Sequence, residues 1–165
     1  MFKFSRNRYL CLVAYCWLGV ASADSVTINL SGSVTIDSCK VTSPTSQSLS
    51  WGALPASTIT AGAAAVKKAT VSIDCGTYSL PVTTKLTNST GDQDATKGIL
   101  NSGLTGLGLK ATWVDDGSIV VLSQSKSWAS QSGVRDFSIN FQPIKVGEVT
   151  PGNFSTVGTL SIEYR

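Results

Sequence analysis

Residues 24–37 read DSVTINLSGSVTID. Val26, Ile28, Leu30, Val34 and Ile36 fall on every second position, with Gly32 in the same register, and Ser25, Thr27, Asn29, Ser31, Ser33 and Thr35 between them are polar. A period of two belongs to an extended strand with one apolar edge. Such a strand cannot stay alone in water, because its unpaired amides and its apolar row both need a partner. The first question the sequence raises is therefore whose sheet this segment joins.

Upstream, residues 1–23 have the three parts of a secretory signal: a basic start with Lys3, Arg6 and Arg8, an apolar run from Tyr9 to Val20, and Ala21-Ser22-Ala23 as a small-residue cleavage site. The apolar run falls well short of the ~20 residues that span a bilayer. The expected divisions are a signal at 1–23, an extension at 24–37 and one domain at 38–165, with the mature chain beginning near Asp24. The signal carries three of the 13 basic residues and no acidic ones, so the remainder has 10 of each sign. A near-neutral surface offers no electrostatic footprint for nucleic acid or anionic lipid.

Cys11 and Cys16 leave with the signal, and only Cys39 and Cys75 remain. In an exported chain such a pair reads as a disulfide. A nucleophilic thiol is disfavoured, because the sequence has no histidine to activate it. In the loop-entropy model, closing a loop of this length stabilises a fold by roughly 3 to 4 kcal/mol.

Beyond Cys39, the turn-rich Ser43-Pro44-Thr45-Ser46 leads to Leu49-Ser50-Trp51 and a loop from Gly52 to Gly62 that holds Pro55; Ala63 to Val66 reads as loop or short strand. Ala69, Val71, Ile73 and Cys75 then share one face of a strand, and Val82, Thr84 and Leu86 mark the next. Asn88 to Gly98 is a polar excursion. Leu107, Leu109, Ala111 and Trp113 alternate up to the turn signature Asp115-Asp116-Gly117, from which Ile119 to Leu122 is expected to return as a hairpin. After the polar Ser123 to Gly133 come Phe137, Ile139 and Phe141, a strand expected to end at Pro143. The last strand carries Phe154, Thr156, Gly158, Leu160, Ile162 and Tyr164 on one face. Seven or eight short strands without a convincing helix predict an all-β sandwich.

Chemistry is hard to place on this chain. Without histidine there is no Ser-His-Asp or Cys-His arrangement and no imidazole metal site. Asp115 and Asp116 sit on an expected turn, where Asp serves local backbone bonding rather than as a catalytic pair. Asp92, Asp94 and Thr96 open like a calcium loop, but Lys97 stands where that loop needs glycine and Gly103 where it needs glutamate. Gly103, Gly106 and Gly108 are in the wrong order for a dinucleotide loop. Sequons occur at Asn29, Asn88 and Asn153, and two of the three fall inside expected strands. Of Trp51, Trp113 and Trp128, the last lies among serines and is the one expected to be exposed enough for a sugar platform, whereas the alternation around Trp113 makes it core. Neither catalysis nor a cofactor is expected.

Taken together, the mature chain resembles a pilus subunit of the chaperone–usher class. The marks are an alternating N-terminal extension with Gly32 two residues before Val34, a first cysteine soon after it (Cys39), a second closing the second strand (Cys75), and a terminal strand with Gly152 fourteenth from the end and Tyr164 penultimate. The resemblance implies an immunoglobulin-like sandwich lacking its C-terminal strand, with a hydrophobic acceptor groove beside the strand of Gly152, Phe154, Thr156, Gly158, Leu160, Ile162 and Tyr164. It implies a periplasmic chaperone that fills the groove first and grips the carboxylate of Arg165, an outer-membrane usher, and neighbouring pilin subunits in a homo- or heteropolymer, with a tip adhesin among the partners. In the fibre the groove is filled by the next subunit's donor strand, here Val26, Ile28, Leu30, Gly32 and Val34; pilin donor-strand complementation is itself an established instance of β-strand addition. The expected location is a fimbrium on the bacterial surface, reached through the periplasm.

The residues make physical sense of this. Burying Val26, Ile28, Leu30 and Val34 at about 1.5 to 3 kcal/mol each yields a gross ~6 to 12 kcal/mol, an upper bound before ordering costs. Gly32 interrupts the row where a groove narrows enough that only backbone can pass. Two alternatives keep the sandwich: a self-complete secreted binding module, and a single-domain carbohydrate-binding adhesin using Trp128. The sequence leaves open whether a pilus subunit of this kind is shaft, tip adaptor or terminator.

Overall fold

The alternation at Leu107, Leu109, Ala111 and Trp113 becomes a strand whose inward side chains are all at most 5% exposed, and the sandwich is assembled on it. The computed structural model describes residues 39–164; the signal, the 24–37 extension and Arg165 lie outside the described residues. In chain order the elements are β1 (Lys40–Val41), α1 (Ala56–Thr60), β2 (Lys67–Ala69), β3 (Ser72–Asp74), β4 (Leu80–Asn88), β5 (Asp92–Asp94), β6 (Ile99–Asn101), β7 (Leu107–Trp113), β8 (Ser125–Gln131), β9 (Val134–Asp136), β10 (Ile139–Lys145) and β11 (Gly158–Tyr164). They form an antiparallel immunoglobulin-like sandwich.

Three hydrogen-bonded sheets run β2-β10-β7-β6-β5, β11-β4-β8 and β1-β3-β9. The first two face each other across the core: Trp113 of β7 meets Trp128 of β8 edge-on, with ring centroids 5.0 Å apart. Val82, Thr84 and Leu86 of β4 point into the same core, as their spacing predicts. The expected disulfide is present, Cys39 to Cys75, with both cysteines buried. It ties the start of β1 to the end of β3, next to the pairs Lys40↔Asp74 and Val41↔Ile73.

Several expectations are corrected. The strand read across Ala69 to Cys75 changes sheets partway: β2 pairs with β10 and β3 with β1 and β9, while the inward alternation continues through the break. The return from the Asp115-Asp116-Gly117 turn is not a strand. The turn closes as expected, with Gly117 at φ 68°, Ser118 N donating to Asp116 Oδ1 and Trp113 N donating to Ser118 O. The chain then keeps a single bridge, Thr112↔Ile119, and peels away so that Leu122 N bonds Ala95 O. Burial of Val120 and Leu122 on the core outweighs continued pairing.

Pro143 does not end its strand. β10 runs on to Lys145, pairing Pro143 with Leu109, because β2 covers β10 only as far as Phe141 and the strand beyond is an edge on that side; a residue without an N–H is tolerated there. The polar Ser123 to Gly133 contains β8, paired along β4. Gly52 to Gly62 holds the one-turn helix α1, started by Pro55 at φ −61° and anchored by the buried Ile59. The described residues therefore hold eleven short strands rather than seven or eight.

Candidate functional site

β11 repeats the apolar alternation of β7 but not its burial. It pairs along one edge with β4, from Gly158↔Asn88 to Tyr164↔Val82, and among the described residues its other edge has no ladder partner. Leu160 and Ile162 pack on the core yet stay only half-buried. An edge without a ladder partner presents a row of backbone N–H and C=O groups.

Alongside this edge runs a groove of about 590 Å³. One bank is β11 with the residues before it, represented by Thr156, Leu160 and Ile162; the other is the segment from Val41 through Gln47 and Leu49 to Trp51. Its floor is the sandwich core itself, including Leu86, Leu100, Leu109 and Ile139. The second bank is fastened to residues 70–72 by one backbone bond and by two side chains standing in for the rest of a ladder. Thr70 N donates to Gln47 Oε1 at 3.0 Å, Ser72 N to Ser43 Oγ at 3.1 Å, and Thr42 N to Ser72 O at 2.9 Å. At the far end a second cavity of about 540 Å³ lies between Trp51, Ile59, Leu104 and Leu107 on one side and Pro151 to Phe154 on the other. Among the described residues, none that lines either cavity is charged. The groove thus offers apolar side chains on its floor and the outer backbone edge of β11 on its rim.

The structure distributes the expected acceptor residues unevenly. Gly158, Leu160, Ile162 and Tyr164 are in β11 proper, whereas Gly152, Phe154 and Thr156 precede the ladder, and of these Thr156 reaches the end of β4 through its hydroxyl, which donates to Asn88 Oδ1 at 2.5 Å. That upstream stretch is otherwise fastened outside β4: Ser155 N bonds Ser102 O, and the Thr156 hydroxyl lies 2.8 Å from that of Thr90. Gly152 and Phe154 line the second cavity, Thr156 to Leu160 and Ile162 the groove, and Tyr164 is exposed at the end of the strand. The donor residues Val26 to Val34 and the terminal Arg165 lie outside the described residues.

Two sequence readings of aromatic residues change. Trp128 is not an open platform: its Nε1 donates to Thr84 Oγ1 at 2.8 Å, its ring meets Trp113 and Phe137 edge-on, and Lys126 Nζ lies 4.1 Å from its centroid. Period two along Lys126 and Trp128, both half-buried, was the available signal, masked by the serines around them. Trp51 was missed as a groove wall because Ser43 to Ser46 read as turn-rich and no alternation leads on to Trp51; Ser43 and Gln47 fasten the bank through their side chains, which leaves no strand pattern.

Elsewhere the carboxylates act locally. Asp94, beside the Lys97 ammonium at 2.9 Å and the Thr96 hydroxyl, is held down to about 2, and Asp116 likewise to about 2 by its bonds to Ser118 and then by Lys126. Arg135 is 6% exposed and donates to the carbonyls of Leu80 and Ala129; burial pushes its pKa down.

No protein-family model and no curated protein sequence matches the chain. Solved structures do. The P pilus rod subunit PapA superposes with a TM-score of 0.59 at 19% identity, covering 77% of this chain and 99% of that one. A subunit from the structure of a chaperone–usher pilus superposes with a TM-score of 0.60 at 20% identity, covering 88% of this chain and 97% of that one. The chain thus has the fold seen in chaperone–usher pilus subunits.

Proposed function

We propose that this protein is a structural subunit of a chaperone–usher pilus, exported to the periplasm and polymerised on the cell surface by strand addition. The observation that carries the reading is the uncharged groove floored by the core beside the free edge of β11, in a fold shared with a pilus rod subunit. Open apolar surface continuous with a core is costly in water, so the groove requires an occupant. A periplasmic chaperone supplies it first, holding the Arg165 carboxylate, and the 24–37 segment of a neighbouring subunit, Val26 to Val34, supplies it in the fibre. An usher and a tip adhesin complete the partners. The packing of Trp128 leaves the carbohydrate-binding alternative without its one candidate platform, and the role asks for no catalytic residue.

The test is deletion of Asp24 to Thr35. The shortened chain should still co-purify with its chaperone, because its own groove is intact, and should fail to enter another subunit's groove. If the deleted chain still polymerises, or if the intact mature chain is a stable monomer with its groove closed by nothing external, the proposal is wrong.

A further inference from the structure

Gly103, Gly106 and Gly108 stand close together in the sequence, in an order that fits no dinucleotide loop. In the fold they lie in the turn between β6 and β7 and at the start of β7, and all three face the run that leads from β10 to β11. A Cβ on Gly103, at φ 80°, would lie 3.4 Å from Ser155 O; one on Gly106, at φ 78°, would fall inside the Glu148 carbonyl group. A Cβ on Gly108 would press on Ile99 and stand 3.0 Å from Val146 Cγ1. From the facing run, a Cβ on Gly152 would be 2.7 Å from Leu104 Cδ1.

The hydrogen bonds follow the same antiparallel order. Val146 N and Gly147 N donate to Gly106 O at 2.9 and 3.3 Å, Thr150 N to Thr105 O at 3.4 Å, and Ser155 N to Ser102 O at 3.2 Å. The turn is braced from within: the hydroxyl of the buried Ser102 donates to Leu107 O at 2.7 Å and accepts from Leu104 N at 3.2 Å. Residues 146–157, by contrast, belong to no ladder among the described residues. They nevertheless form one wall of the acceptor site, since Val149 to Phe154 line the second cavity and Thr156 begins the groove bank.

We propose that the β6–β7 turn is the positioning element of the acceptor site, with Gly106 its central residue: it holds residues 146–155 at the separation from the opposite bank that an inserted strand needs. The inference rests on the strand-insertion reading above and assigns what readies the site before the strand arrives. A wall already in place captures a strand without losing binding energy to its own ordering. Where the wall is in place in only a fraction of molecules, the apparent affinity falls by that fraction. Glycine lets the two backbones approach more closely than a Cβ permits. A side chain at Gly106 therefore displaces Glu148 and the residues bonded beyond it, because the braced turn yields less than the unladdered run.

The experiment separates positioning from stability by comparing two glycines with the same backbone strain. A labelled peptide of residues 24–37 is titrated by fluorescence anisotropy against the mature chain, kept dilute, and against its Gly106→Ala and Gly117→Ala variants. Gly117 has φ 68° and no atom within 4 Å of a Cβ, so its substitution costs backbone strain alone. Gly117→Ala should lower the urea midpoint and capture the peptide as the unsubstituted chain does. Gly106→Ala should capture it about tenfold or more weakly, with faster hydrogen exchange at Thr150 and Ser155 and unchanged exchange along the β11–β4 ladder. Should Gly106→Ala not fold, Ser102→Ala, which removes the brace, takes its place with an expected loss of a few-fold. Equal capture by the turn variant and the unsubstituted chain overturns the positioning role and leaves strand insertion standing. A loss that Gly117→Ala shares, or exchange that rises equally along the ladder, overturns it as well. No capture by the unsubstituted chain removes the strand-insertion reading together with it.

Discussion

β7 and β11 carry nearly the same sequence pattern and meet opposite fates. Both alternate apolar and polar residues and both stand in seven-residue antiparallel ladders, β7 with β10 and β11 with β4. Yet Leu107, Leu109, Ala111 and Trp113 are buried, while Leu160 and Ile162 are half-covered and Tyr164 is exposed. β7 lies between β10 and β6 and faces the opposite sheet; β11 is at an edge and borders a groove. Alternation therefore reports that a strand has an apolar face, and says nothing of whether the molecule supplies what covers it.

That contrast can be broken most directly by truncation on each strand. Trp113→Ala should cost about 3 to 5 kcal/mol in denaturant unfolding, since it empties a closed core. Leu160→Ala should cost no more than about 1.5 kcal/mol in the free subunit, because much of that side chain is not yet removed from water, while clearly weakening capture of the 24–37 peptide. Comparable stability losses for the two would mean that β11 is already covered. Next in size, replacing Cys39 and Cys75 together by Ser should lower stability by roughly 3 to 4 kcal/mol, since the crosslink fixes the start of the groove bank to β3.

Trp128→Phe sharpens the contrast on the closed side. It keeps most of the ring packing on Trp113 and Phe137 and removes the bond to Thr84, for an expected loss of about 1 kcal/mol and no change in peptide capture. The smallest effect belongs to the carboxylates. Asp94 and Asp116 are depressed from 3.8 to about 2, so their contribution is complete above about pH 4 and is lost as the pH falls through 2. Carboxyl NMR titration should place both near 2, and Lys97→Met should move Asp94 upward while leaving Asp116 where it is.

Much of the sandwich was legible. Leu107 to Trp113, Val82 to Leu86 and the Cys39–Cys75 link emerge as read, because period-two patterning and a lone cysteine pair in an exported chain are local signals. β8 was hidden, since an edge strand with one polar face and serines flanking its tryptophan looks like loop. The split between β2 and β3 was hidden too, because changing sheets preserves inward alternation while exchanging hydrogen-bond partners. Of the site, the residues of β11 could be named in advance; the opposite bank could not, because Ser43 and Gln47 hold it through side-chain bonds that leave no period.

The sequence by itself determined that the chain is an all-β sandwich with one crosslink and no histidine chemistry, because composition and a two-residue period act through neighbours along the chain. Only the tertiary structure decided that one edge of β11 has no ladder partner among the described residues, that the core floors a groove beside it, and that Trp51 and Phe154 approach each other there. Those depend on residues about a hundred positions apart arriving at the same place, and no local pattern encodes the distance between them.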